Sequence, residues 1–342
     1  MQVIFDRMFY GRIYVLIIAF VLDMLFGDPH FLPLHPVVLI GRFTGFLTKV
    51  FLERNIKSGQ RSRKRERTAG IFLVIFVLLI SVSIIALILY GAYRINVYLG
   101  IAVEGILCYR LISMKDLWDE SMEVYRALIE TDSEEDEALE PARKALSMIV
   151  GRDTKKLSRE GIIRAAVETV SENTSDGVIA PIIYMALFGG VGAIFYKAVN
   201  TMDSMVGYKN EKYIFFGTAA AGLDDAANFI PSRLSALLMI AASFILKLDA
   251  KNAIKVFLRD RFKHSSPNSA QTESVCAGAL NIRLGGGNYY FGEYVEKPYI
   301  GDDTRNVETT DIIKANRLLY VTGILGMLLC VGILAGIGFG VM

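Results

Sequence analysis

The chain has 342 residues, 53% of them hydrophobic, and its 37 Lys and Arg against 35 Asp and Glu leave a formal net charge of +2. A mean hydropathy of +0.41 excludes a disordered chain, which needs low hydrophobicity and strong net charge, and argues against a soluble enzyme, whose apolar share sits near about 45–50%. The balanced charge gives no case for nucleic acid as a partner, and three distant cysteines, Cys108, Cys276 and Cys330, indicate neither a disulfide framework nor a zinc cluster.

In chain order, a short apolar run at 13–22 leads into Asp23, Gly27, Asp28 and Pro29 with no small-residue cleavage pattern, so a secretory signal peptide is not expected. A Pro-rich loop follows, flanked by His30 and His35; His35 suits a general base or a hydrogen bond in a rigid turn. Arg54, Lys57, Arg61, Arg63, Lys64, Arg65 and Arg67 precede an uncharged block at 68–93. Positive charge beside a span stays cytoplasmic, so the polar stretches 28–67, 113–176 and 247–317 are expected on that side of a cell membrane. Uncharged blocks at 68–93, 177–196 and 318–342 approach or exceed the roughly 20 residues a bilayer requires. With shorter runs at 97–109 and 234–246, four to six membrane segments follow, some of them re-entrant. The fold class expected is an all-α, multi-pass membrane protein in one integral domain, with the lipid bilayer as a partner.

Ser158 has the chemistry of an N-cap for a helix running to about Asn173. Along it Glu160, Arg164, Glu168 and Glu172 recur at steps of four, a charged ladder. Oxygen-bearing side chains then gather three times beside apolar blocks: Glu172, Asn173 and Asp176; Asn200 and Asp203; Asp224, Asp225 and Asn228. Singly these read as helix caps. Together they fit a Mg2+–phosphate site, since Mg2+ is held by one or two carboxylates plus phosphate oxygens. Gly189, Gly190 and Gly192 permit a turn in the middle of the third block. The expectation is a hairpin of two half-helices, about 178–188 and 191–202, each roughly 15 Å long, returning Asn200 and Asp203 toward Glu172 and Asp176.

Further on, 265–269 is turn chemistry. Arg283 to Asn288 resembles a backbone nest for phosphate, and Tyr289, Tyr290, Phe291 and Tyr294 suit interfacial anchoring or stacking on a flat substrate. No P-loop motif occurs. Gly332, Gly336 and Gly340 place a smooth stripe on the last helix, suited to helix packing within the chain or in a homo-oligomer.

Taken together, Asp23, Gly27, Asp28 and Pro29; His35, Pro36 and Val37; Gly41 and Arg42; the run from Ala145 to Thr154; Glu168 to Gly177; Lys197 to Tyr208; Leu223 to Arg233; Ser266, Pro267 and Asn268; and Ala277 to Gly286 resemble the CobD/CbiB family of cobalamin biosynthesis in the same order. The sequence departs from that pattern in a longer acidic insert near 132–140 and at 269–273. The resemblance implies an adenosylcobinamide-phosphate synthase: a membrane ligase that joins adenosylcobyric acid, a corrinoid, to an amino alcohol or its phosphate, with ATP as cosubstrate and Mg2+. Under that implication Glu172, Asp176, Asp203, Asp224 and Asp225 are the metal candidates. His35, Glu172, Asp176 and Asp225 are catalytic candidates, with His35 or Glu172 accepting the proton of the amine. Arg42, Arg164, Asn173, Asn200, Asn228, Arg233, Asn268 and Arg283 are substrate or phosphate candidates, arginine matching phosphate bidentately. The rival readings are a Mg2+-dependent intramembrane prenyltransferase and a non-enzymatic AmpE-like membrane sensor.

Overall fold

A computed structural model describes residues 2–28, 35–53, 62–131, 137–290 and 292–340. The Pro-rich loop with His30, the basic residues Arg54, Lys57 and Arg61, the acidic residues 132–136, and Phe291 lie outside them. The described helices are α1 (Gln2–Phe26), α2 (Pro36–Thr48), α3 (Arg63–Ile95), α4 (Val97–Tyr109), α5 (Met114–Ile129), α6 (Glu140–Ser147), α7 (Arg159–Asn173), α8 (Ala180–Val206), α9 (Thr218–Ala227), α10 (Phe229–Ile245), α11 (Ala250–Asp260), α12 (Ser269–Leu280) and α13 (Thr310–Gly340). Single π-helical turns follow α2 at Lys49–Glu53 and α7 at Thr174–Ile179.

The protein is an all-α membrane protein. Among the described residues, four helical stretches are long and apolar enough to cross a bilayer: Arg63–Ile95, Val97–Ile129, Arg159–Val206 and Thr310–Ile337. A fifth arises if α9 and α10 together form one span. Local chemistry sets the helix starts. Asn96 Oδ1 accepts from the Tyr98 N–H at 2.7 Å, and Ser158 Oγ from the Gly161 N–H at 3.2 Å, as its N-cap chemistry requires.

The chain divides into two compact units, Met1–Ile112, Ala180–Asn228 and Leu329–Met342 in the first, Ser113–Ile179 and Phe229–Leu328 in the second. The first is built on α1, α3, α4 and α8, with α4 packed on α1 and α3. Within it α8 folds back on itself. Gly189 has φ +64° and ψ −156°, outside the helical region, and the rings of Tyr184 and Tyr196 stack with centroids 5.0 Å apart. Twelve residues of continuous helix would separate them by about 18 Å. A Cβ added to Gly192 would lie 2.6 Å from the Tyr184 carbonyl oxygen, so glycine permits the close approach of the two limbs. The hairpin expected from the three glycines is therefore present.

The second unit packs α5 on α6 and α7, and α12 against α7, α10 and α11. Every residue of α12 is buried. Four three-residue strands, β1 (Arg283–Gly285), β2 (Asn288–Tyr290), β3 (Glu293–Val295) and β4 (Tyr299–Gly301), form two antiparallel pairs, with Leu284 opposite Ile300 and Tyr289 opposite Tyr294. The sequence reading had no strands here. The ion-pair ladder on α7 does not form either: Glu168 turns to Arg152 instead of Arg164. At Gly332 and Gly336 an added Cβ would meet no described atom within 4 Å, so these two positions of the glycine stripe face open space.

Candidate functional site

In the first unit, His35 precedes Pro36, the first residue of α2. Its Nε2 lies 3.0 Å from Asp28 Oδ2, and Arg110 Nη2 lies 3.2 Å from Asp28 Oδ1. A backbone hydrogen bond to Arg110 also holds the ring. Burial lowers the His35 pKa below the ordinary imidazole value; Asp28 opposes this, while Arg110 and Lys197 push the same way as burial. The geometry favours an anchor for the chain entering α2 over an open base.

The second limb of the α8 hairpin carries Tyr196, Asn200 and Asp203. Asp224 is buried on α9 and accepts from Asn228 Nδ2 at 3.1 Å and, more weakly, from Asn200 Nδ2 at 3.5 Å. Tyr196 O–H donates to Asn228 Oδ1 at 2.8 Å, and Tyr184 O–H to the Ala227 carbonyl at 3.2 Å. Two of the three oxygen-rich clusters thus meet in this unit, with both Asp224 oxygens engaged. Asp203 and Asp225 are half-buried beside it, and Arg42 is exposed on α2.

The second unit holds a cluster that the sequence reading largely missed. Glu168 and Glu172 lie one turn apart on α7, and Ser269 and Glu273 one turn apart on α12. Ser269 Oγ donates to Glu172 Oε1 at 2.7 Å, joining the two faces. Glu168 binds Arg152 through Oε2 at 2.5 Å and accepts the Gly285 N–H through Oε1 at 2.6 Å. That N–H belongs to the glycine turn read from sequence as a phosphate nest, so a carboxylate of the chain already fills that role. Glu172 Oε2 receives no hydrogen bond from the described residues. Glu273 is 6% exposed, and no described donor reaches its carboxyl. Burial first, then Glu172 and Glu168, push that carboxyl well above the ordinary carboxylate range, against Lys297 and Arg152. His264 Nδ1 accepts the Ser266 N–H at 3.1 Å; burial lowers its pKa, Glu172 opposes this, and Lys297 adds to the lowering.

The remaining expected site residues divide clearly. Asn173 donates its amide to the Thr169 carbonyl at 3.0 Å, a helix-internal bond. Arg233 donates to Asn268 Oδ1 at 3.0 Å and lies over the Phe229 ring, so both are committed to one another. Arg283 pairs with Asp303 at 2.8 Å and stacks on Tyr299, which engages it within the strand region. Arg164 has a buried Nε with no partner, and no described group pairs with its guanidinium. Asp176 sits half-buried on the π-helical turn after α7. Among the described residues, no three His, Cys, Asp or Glu side chains gather closely enough to hold a metal ion by themselves. The signal for the missed cluster was local. Glu168 and Glu172 are like charges at a spacing that normally repels, and Glu273 is the one charged residue between Ser269 and Leu280.

These features define a class: an all-α membrane protein with a helical hairpin and carboxylate-rich clusters set among apolar helices. The chain belongs to the CobD/CbiB family. The model of that family, described as CobD/Cbib protein, matches residues 16–319. The chain is 47% identical over 312 residues to a cobalamin biosynthesis protein CobD of Clostridium perfringens, covering 91% of this chain and 95% of the relative. It is 45% identical to a protein of the same name from Geobacter metallireducens, covering 90% and 92%, and 42% identical to the cobalamin biosynthesis protein CbiB of Salmonella typhi, covering 94% and 97%. No solved structure matches.

Proposed function

We propose that this chain acts in cobalamin biosynthesis as a membrane ligase that joins adenosylcobyric acid to aminopropanol or its phosphate through a new amide on a corrin propionate. The observation that carries this reading is membership of the CobD/CbiB family over nearly the whole chain, with relatives named as cobalamin biosynthesis proteins. The enzyme sits in the cell membrane with its reacting groups on the cytoplasmic side, as Arg63, Lys64, Arg65 and Arg67 at the start of α3 support.

A carboxylate is a poor electrophile, so ATP supplies the activation, and ADP and phosphate leave. The described residues contain no ready-made cage of three acidic or His ligands, which suits an ion arriving on phosphate and held by one or two carboxylates. Asp203 and Asp225 are the half-buried carboxylates best suited to hold Mg2+, and when bound the ion supplies neutralisation of phosphate charge. Arg164, whose guanidinium pairs with no described group, is the arginine best suited to phosphate oxygens. The amine must attack as its free base. Glu172 is the better proton acceptor, because one of its oxygens is uncommitted while His35 is tied on both sides.

Purified protein incubated with adenosylcobyric acid, 1-aminopropan-2-yl phosphate, ATP and Mg2+ is expected to give the amide product by mass, with ADP released. Absence of product from folded protein would overturn the assignment.

A further inference from the structure

The α7–α12 cluster combines three carboxyl groups with few available cations. Arg152 is committed to Glu168, and Lys297 donates to the Tyr290 hydroxyl at 2.7 Å. His264 turns Nδ1 to the Ser266 N–H. On the inner face Glu172 has one oxygen open, and the Ser269 hydroxyl, whose proton goes to Glu172, retains its lone pairs. Glu273, one turn along α12, is buried, and no described residue donates a hydrogen bond to its carboxyl. A buried carboxyl lacking a donor is costly unless something arrives to satisfy it. A metal ion held by these groups alone does not suit the arrangement, since among the described residues no three His, Cys, Asp or Glu side chains gather closely enough to hold one. An ammonium group does: it offers three N–H donors spread tetrahedrally and one positive charge.

We propose that Glu172, Glu273 and Ser269 form a receptor for a primary organic ammonium, and that this is where the amino-alcohol substrate places its nitrogen. The second clause rests on the ligase reading above; the first does not. Glu172 and Glu273 accept from the ammonium directly and Ser269 through its free lone pair. The acceptor that orients the cation, Glu172, is also placed to take its proton.

The test is titration calorimetry on the full-length protein in nanodiscs. The probes are 1-aminopropan-2-yl phosphate, the matching propanediol phosphate without the amine, and ethylammonium. Glu273→Gln is expected to weaken both amine probes about tenfold or more and to leave the diol phosphate within about twofold. Equal loss on amine and diol, no loss on either, or failure of the wild-type protein to bind the amines would overturn the proposal. Should Glu273→Gln fail to unfold cooperatively, Ser269→Ala serves instead, with an amine-selective loss of about threefold or more expected and an unselective or absent loss overturning it. Conversion of adenosylcobyric acid is followed separately. Glu273-dependent ethylammonium binding without conversion keeps the receptor and removes the ligase reading; conversion without amine-selective loss does the reverse.

Discussion

Glu104 accepts the N–H of Gly190 through Oε1 at 2.6 Å, placing a buried carboxylate at the start of the second limb of the α8 hairpin. Arg12 donates to the Leu187 carbonyl at 2.6 Å, at the end of the first limb. Each charge sits at the helix end whose exposed peptide groups it complements, an anion on free N–H groups and a cation on free carbonyls. Tyr93 O–H donates to the other Glu104 oxygen at 2.5 Å and fixes its rotamer. Glu104→Leu is expected to destabilise by about 3 kcal/mol, because it strands the buried Gly190 N–H and the Tyr93 hydroxyl. Gly189→Ala is expected to cost at least about 2 kcal/mol, from the backbone strain at φ +64° and a Cβ 2.5 Å from Glu104 Oε1. Thermal unfolding in detergent reads both, and a wild-type midpoint in either variant would contradict the capped tip.

What the sequence disclosed, and what it withheld, follows the range of the interactions. The spans at 68–93 and 318–342 are local facts of composition, and the Ser158 cap and the hairpin glycines are local facts of backbone chemistry. The Asp224–Asn228 pairing is one helical turn, readable from spacing alone. The Glu172–Ser269 bond joins residues 97 positions apart, and the Glu168–Gly285 bond residues 117 apart. No periodicity encodes such partners; packing of α12 on α7 creates them. The strands at 283–301 are three residues each, too short to show alternation, and depend on positive φ at Gly285, Gly286 and Gly301.

Two histidines make stability depend on pH in a defined direction. His35 and His264 both have folded pKa values below the ordinary 6.5, so below pH 6.5 the unfolded chain binds more protons than the folded one. The contribution of the two histidines therefore rises as pH climbs through the window below 6.5 and flattens above it, while Glu273, whose folded carboxyl holds its proton above the ordinary carboxylate range, contributes in the opposite sense. His264→Gln is expected to make that rise shallower, by the contribution of one proton. Unfolding midpoints between about pH 5 and pH 7 measure it, and an unchanged slope would remove His264 from the account.

Asp260 gives a dependence of the same sign in a lower pH window. It is fully buried, accepts from Arg259, Lys263 and the Gly301 N–H at 2.7–2.8 Å, and has its pKa held down to about 2, against the penalty of burial. The carboxylate thus contributes stability above its ordinary value of 3.8, lost as pH falls toward about 2. Asp260→Asn is expected to lower stability at neutral pH by about 2 kcal/mol and to flatten the acid limb. Loss without the flattening would mean that packing rather than charge supplies the effect.

Asp224 and Asp225 are neighbours with different work. Asp224 is buried with both oxygens engaged by Asn200 and Asn228, so Asp224→Asn sets an amide donor against another donor and is expected to cost about 1–3 kcal/mol of stability along with turnover. Asp225 is half-buried on the next position of α9. If it holds Mg2+ on an incoming phosphate, Asp225→Asn keeps the unfolding midpoint within about 0.5 kcal/mol of wild type and raises the Mg2+ concentration for half-maximal product formation about tenfold or more, the loss of one charged ligand. Product formation read by mass across a Mg2+ series separates the two residues. An Asp225→Asn protein with the wild-type Mg2+ response would move the metal role to Asp203, where the same series applies to Asp203→Asn.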